Sequence, residues 1–276
     1  MAERPQHPEE YYYSGPTPFF ASRQNPRFSY CLYVPQSHGA AERPLPLVVL
    51  QHGTGRRAAN YRDAFADFAE EQSVLVLAPL FPASLTDPSE LHSFKFIRSS
   101  TTRFDEALLD IVQEIGERFA VNTERFYLHG FSGGGQFTHR FFYLHPDRLA
   151  GVSIGAPGRI TPIDPDADWW LGVRDFQERF GTDIDLASLR TVPVQMVVGA
   201  DDTETWEINN PGSSNWRDGV EATGATRVER LRTLQQNYLK HGISVRFDLV
   251  EGVGHDALSV LEPVRDFFAE YINNQQ

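Results

Sequence analysis

Gly130-Phe131-Ser132-Gly133-Gly134-Gly135 follows a short apolar run, Arg125-Phe126-Tyr127-Leu128-His129, and precedes a segment of helical spacing from Gln136 to His145. Strand, sharp turn and helix are the context in which a G-x-S-x-G motif reads as a nucleophile elbow. The reason is steric. A serine at the tip of so tight a turn holds a strained backbone, and side chains at the flanking positions would collide with it. Glycine at 130 and 134 removes those collisions. A helix beginning behind Ser132 aims its free N–H groups and positive dipole end at the point where negative charge develops in acyl transfer.

Outward from this motif, strand and helix patterns alternate. Toward the N-terminus, Leu45–Gln51 and Val74–Ala78 are continuous apolar runs, as expected of strands buried on both faces, the second closed by Pro79. Between them Tyr61, Ala64, Phe65, Phe68 and Ala69 recur at three and four, which predicts one helix. Phe28–Val34 reads as an outer strand. A helix is expected from a cap at Thr102 to about Phe119, with Phe104, Ala107, Leu108, Ile111 and Ile115 along its stripe. Toward the C-terminus, strands are expected at Leu149–Ile154, Pro193–Val198 and Val245–Val250, with helices at about Thr226–His241 and Asp256–Asn273. This alternation predicts an α/β fold with a mostly parallel, doubly wound sheet covered on both faces. Two stretches break the pattern, 157–191 and 203–224. They hold all four tryptophans, Trp169, Trp170, Trp206 and Trp216.

The chain has 276 residues, 41% of them hydrophobic, ample for a globular core. A formal charge of -12 argues against nucleic acid or an anionic membrane as a partner. The lone cysteine, Cys31, excludes an intrachain disulfide and reads as a packed strand residue. Met1 to Tyr13 is polar, and no run approaches the ~18 apolar residues of a membrane span. The expected location is cytoplasmic. No cofactor and no metal are expected. The glycines after Ser132 do not extend to a dinucleotide fingerprint, because Thr138 occupies the third position, and no phosphate loop or zinc motif occurs. Asp164-Pro165-Asp166-Ala167-Asp168 opens like a calcium loop but lacks its turn glycine, replaced by Trp169, and its final glutamate, replaced by Asp175.

An activated serine needs a base within hydrogen-bond reach and an acid to orient that base. Behind an elbow of this kind the acid and then the histidine follow on loops after later strands. The strand ending at Val198 runs into Gly199-Ala200-Asp201-Asp202, and the strand ending at Val250 into Glu251-Gly252-Val253-Gly254-His255-Asp256. His255 alone among the histidines follows the last strand in a glycine-flanked turn, whereas His129, His139 and His145 fall on the elbow strand and its helix. Asp201 and Asp202 both remain candidates on these grounds. Oxyanion donors are expected at the N–H of Gly133 and, in His52-Gly53-Thr54-Gly55, at the N–H of Thr54.

With these motifs in order, the chain resembles the α/β-hydrolases from about Phe28 to Ile272, and within them is similar to the polyhydroxybutyrate depolymerase-like and dienelactone-hydrolase-like esterases. The resemblance implies that the acid lies three residues after the glycine ending its strand, which favours Asp202 with Asp201 in reserve. It implies an N-terminal extension at 1–27 and a hydrolase domain at 28–276. The insertion at 157–191 takes the place of a cap, and 203–224 is a loop. The expected activity is that of a cofactor-free serine hydrolase on small carboxylic esters, with Ser132, His255 and Asp202 as its triad. Trp169, Trp170, Trp206 and Trp216 are expected to line an apolar substrate pocket. An amidase, peptidase or thioesterase with the same triad is the enzymatic alternative, and a non-catalytic binder of hydrophobic ligands the other.

Overall fold

The computed structural model describes residues 12–41, 43–85 and 87–274; residues 1–11 of the expected extension lie outside them. Strands β1 (Gly15–Pro16), β2 (Phe20–Ala21), β3 (Ser29–Val34), β4 (Leu47–Gln51), β5 (Leu75–Leu80), β6 (Phe126–Phe131), β7 (Leu149–Gly155), β8 (Val194–Gly199) and β9 (Val245–Val250) form one sheet. Its order is β1-β3-β5-β4-β6-β7-β8-β9, with β2 also on β3. The pairs from β5 to β9 are parallel; β3 pairs antiparallel with β5 and with both short strands. Helices α1 (Ala58–Ala64), α2 (Ala66–Gln72), α3 (Phe104–Gly116), α4 (Gly133–Leu144), α5 (Phe176–Phe180), α6 (Leu186–Leu189), α7 (Arg227–Lys240) and α8 (Leu261–Asn273) complete the element order. The fold is the expected mostly parallel sheet flanked by helices.

The sequence explains the placement of the strands. The apolar strands β4, β6, β7 and β8 are buried throughout, as central parallel strands must be when helices cover both faces. Strand β9 is half-buried along its length and lies at the sheet edge, where Arg246 pairs with Asp248 at 3.0 Å. Helix α4 packs on β4, β6 and β7, α7 on β8 and β9, and α8 on β7 and β8. Because β4, β6, β8 and β9 run parallel, the loops after Gln51, Phe131, Gly199 and Val250 open at one edge of the sheet.

Several boundaries differ from the sequence expectation. The helix expected over Tyr61–Ala69 is two helices, α1 and α2, separated at the fully buried Phe65, whose φ of -100° and ψ of 7° leave the helical region. Pro79 lies inside β5 rather than closing it. The parallel ladder to β4 ends at Leu77, so the missing proline N–H costs no bond on that side. Helix α3 has Arg103, not Thr102, at its N-cap, with no side-chain cap. Asp105 in its first turn is tied to Arg103 at 2.6 Å and His145 at 2.8 Å. Helix α8 starts at Leu261 rather than Asp256, because the Asp256 carboxylate accepts the N–H groups of Leu258 and Ser259, both at 2.9 Å, and folds a separate turn.

Candidate active site

Ser132 stands between β6 and α4 with φ 58° and ψ -115°, outside the regions a non-glycine residue ordinarily adopts. Its backbone is pinned from both sides: its N–H donates to Gly155 O at 2.9 Å, and its carbonyl accepts from Gln136 N at 3.0 Å. Tight packing of the elbow against β4 requires the glycine at 134, where a Cβ would lie 2.3 Å from Gln51 O. Helix α4 therefore begins immediately at Gly133, three residues earlier than the side-chain spacing indicates.

The imidazole of His255 closes on the serine. His255 Nε2 lies 3.0 Å from Ser132 Oγ, and His255 Nδ1 lies 2.6 Å from Asp202 Oδ2. The ring rests on Phe131, centroid to centroid 4.9 Å. Asp202 is 1% exposed, whereas Asp201 faces solvent, so Asp202 is the carboxylate brought to the histidine. The two loops are stitched together: Ala200 N donates to Val250 O at 2.8 Å and Asp201 N to Val253 O at 2.9 Å. Gly199 permits this approach, since a Cβ there would lie 2.1 Å from Val253 O.

Across the serine, Thr54 N lies 3.0 Å from where a Cβ on Gly133 would sit, so the two expected oxyanion donors are neighbours. Arg56 holds the Thr54 loop, donating from Nη1 to Thr54 O at 2.8 Å and from Nε to Phe81 O at 2.9 Å. Below it, His52 Nδ1 pairs with Gly53 O at 2.8 Å while Nε2 accepts Phe81 N–H at 3.0 Å, which sets a neutral ring donating from Nδ1. Burial lowers the His52 pKa to about 3.

Ser132 opens on two cavities, both also lined by Thr54 and Glu207. One, of about 360 Å³, contains His255, Tyr61, Ala257 and Leu258. The other, of about 330 Å³, lacks His255 and contains Lys95, Arg159, Arg227, Gln136 and Trp206. A third cavity of about 780 Å³, away from the serine, is lined by Trp169, Trp170 and Trp216.

No protein-family model matches the chain, and no curated protein matches it. Solved structures do. Poly(3-hydroxybutyrate) depolymerase LpqC from Bordetella parapertussis matches at 22% identity and a TM-score of 0.73, over 95% of this chain and 91% of its own. Poly(aspartic acid) hydrolase-1 from Sphingomonas sp. KT-1 matches at 20% identity and a TM-score of 0.70, over 87% and 92%. S-formylglutathione hydrolase from Agrobacterium tumefaciens matches at 16% identity and a TM-score of 0.59, over 92% and 93%. The chain has the α/β-hydrolase fold.

On this α/β-hydrolase scaffold the tryptophans divide. Trp206, 72% exposed, borders a cavity that reaches Ser132. Trp169 and Trp170 are buried: Trp169 packs on Phe176 and Phe180 of α5, and Trp170 on Phe96. With Trp216 they border the separate cavity, so the expectation of one apolar pocket lined by all four does not describe the arrangement. The reason is that each indole has its own aromatic partner away from the serine: α5 supplies Phe176 and Phe180 to Trp169, and Phe96, from before the insertion, meets Trp170.

Sequence reasoning missed Arg227. Its Nη1 donates to Asp202 Oδ1 at 3.2 Å and its Nη2 to Glu207 Oε2 at 2.5 Å, bracing the acid from behind. A signal was present: Arg227 is the first residue of α7, where a cation opposes the helix dipole and so serves something other than the helix. Lys95 and Arg159, which line the second cavity, were not singled out by the sequence either. Lys95 is one of only two lysines in the chain, the remaining cations being arginines.

Proposed function

We propose that this protein is a serine hydrolase of carboxylic esters. The observation that carries the reading is the unbroken chain of hydrogen bonds from Ser132 Oγ through His255 to the buried Asp202, 3.0 Å and 2.6 Å long. Depolymerase, esterase and S-formylglutathione hydrolase structures among the fold neighbours support it.

In the proposed cycle Ser132 Oγ attacks the acyl carbon and passes its proton to His255 Nε2, while Asp202 holds Nδ1–H and steadies the imidazolium. The N–H groups of Gly133 and Thr54 hold the oxyanion, and the α4 dipole adds to them. His255 then protonates the departing alkoxide, leaving an acyl-serine. Water, deprotonated by His255, attacks that ester, and collapse returns the serine and releases the acid. The balance is ester plus water to acid plus alcohol, with no cofactor consumed.

A fluorophosphonate probe should label the folded protein at Ser132 and fail on Ser132→Ala. Matched p-nitrophenyl esters and p-nitroanilides should show faster cleavage of the ester. An unlabelled, folded wild-type protein would replace this reading with that of a ligand-binding protein; faster anilide cleavage would make it an amidase.

A further inference from the structure

The two cavities at Ser132 are not equivalent chemically. A leaving alcohol must sit within reach of His255 Nε2, because that nitrogen returns the proton to it. That requirement assigns the cavity of Tyr61, Ala257 and Leu258, which His255 lines, to the alcohol. The acyl chain is left with the cavity that His255 does not line.

That second cavity carries an excess of buried positive charge. Lys95 is 2% exposed and Arg159 5% exposed, and neither has a carboxylate within ion-pair distance among the described residues. Among the described residues Lys95 Nζ donates only to the neutral His92 Nδ1, at 2.7 Å. The Arg159 guanidinium makes no hydrogen bond among the described residues, and its Nε and Nη2 are buried without a partner. Glu207, the carboxylate that acts on both, is already hydrogen-bonded to Arg227, which is also paired with Asp202. Two buried cations without an ion-pair partner carry a desolvation cost that Glu207, already engaged by Arg227, offsets only in part. In a chain of net charge -12 they also do not reflect a generally basic surface. Burial, opposed by Glu207 and reinforced by Arg159, lowers the Lys95 pKa to about 7, a measure of how poorly the site holds its charge without an anion. Lys95 also stands next to the reacting centre, its Cε 2.9 Å from where a Cβ on Gly133 would be.

We propose that Lys95 and Arg159 bind a carboxylate at the far end of the substrate's acyl group, so that the preferred substrates are half-esters of short dicarboxylic acids. This rests on the serine-hydrolase reading for the direction of the acyl chain. The bound carboxylate gives both cations the charge-assisted partner they lack.

The test compares mono-p-nitrophenyl glutarate with p-nitrophenyl valerate, which matches its chain length without the charge. The half-ester should be favoured about tenfold or more in kcat/KM, and Arg159→Met should bring the ratio to about one, with Arg159→Lys retaining part of the preference. A wild-type ratio of one or below overturns the proposal, even where both esters are cleaved. Calorimetry on the Ser132→Ala protein supplies a readout independent of turnover. Glutarate should bind, and adding Arg159→Met should abolish it; no binding to Ser132→Ala overturns the proposal. Glutarate binding by a wild type that cleaves neither ester would sink the hydrolase reading and leave the anion site standing.

Discussion

Asp202→Asn is the substitution that most sharply probes the arrangement around Ser132. The carboxylate has one oxygen on His255 Nδ1 at 2.6 Å and the other on Arg227 Nη1 at 3.2 Å. A guanidinium can only donate, so an amide at 202 must turn its oxygen to Arg227 and its NH2 to His255. Facing a donor, Nδ1 loses its proton and the neutral ring carries it on Nε2, where it can no longer accept the proton of Ser132. The fold loses little, since Arg227 keeps its acceptor and the amide is the same size. The expected loss in kcat is about 10⁴-fold, or about 5 kcal/mol of transition-state stabilisation. The assay is steady-state hydrolysis of a p-nitrophenyl ester, alongside a thermal melt to establish that the variant is folded. Asp201→Asn, at an exposed carboxylate, should stay within about twofold of wild type. A folded Asp202→Asn protein retaining more than about a tenth of the wild-type kcat would refute the reasoning, as would a greater loss in the Asp201 variant.

Gly134→Ala would drive a methyl to 2.3 Å from Gln51 O, a backbone atom that has nowhere to go. Urea unfolding should show a loss of about 3 kcal/mol or more, and a variant as stable as wild type would mean that α4 does not seat on β4 as described. The pH dependence of stability should be set on its acid side by buried histidines. Burial lowers His52 and His129 from 6.5 to about 3, and His139 well below 6.5. Each stays neutral when folded and takes up a proton when unfolded, so the unfolded state binds more protons below pH 6.5. The histidine contribution is therefore full above that pH and falls as pH drops toward 4, by ~1.4 kcal/mol per pH unit for each histidine. Urea midpoints measured across this range check it, with a flat profile the contrary result.

The sheet could be read from sequence because each central strand is a short apolar run with its own boundaries, and Val48, Leu128, Ile154 and Val197 are buried as that pattern requires. The elbow could be read because Gly130-Phe131-Ser132-Gly133-Gly134 packs strain, turn and helix start into neighbouring positions, so its meaning is local. Histidine and acid followed from strand order alone: parallel strands bring successive loops to one edge, and His255 and Asp202 lie in such loops. Which of two adjacent aspartates turns inward was open to the residues themselves, and the structure buries Asp202 while leaving Asp201 in water. Helix ends also escaped the sequence: Phe65 leaves the helical region where it is fully buried, and the carboxylate of Asp256 folds a short turn of its own before α8, neither of which apolar spacing records. Only tertiary structure set Arg227 behind Asp202 and gathered Lys95 and Arg159, 64 positions apart in sequence, beside one serine. Periodicity records which residues leave water, but the partners of a buried charge are chosen by chain crossings that no local pattern encodes.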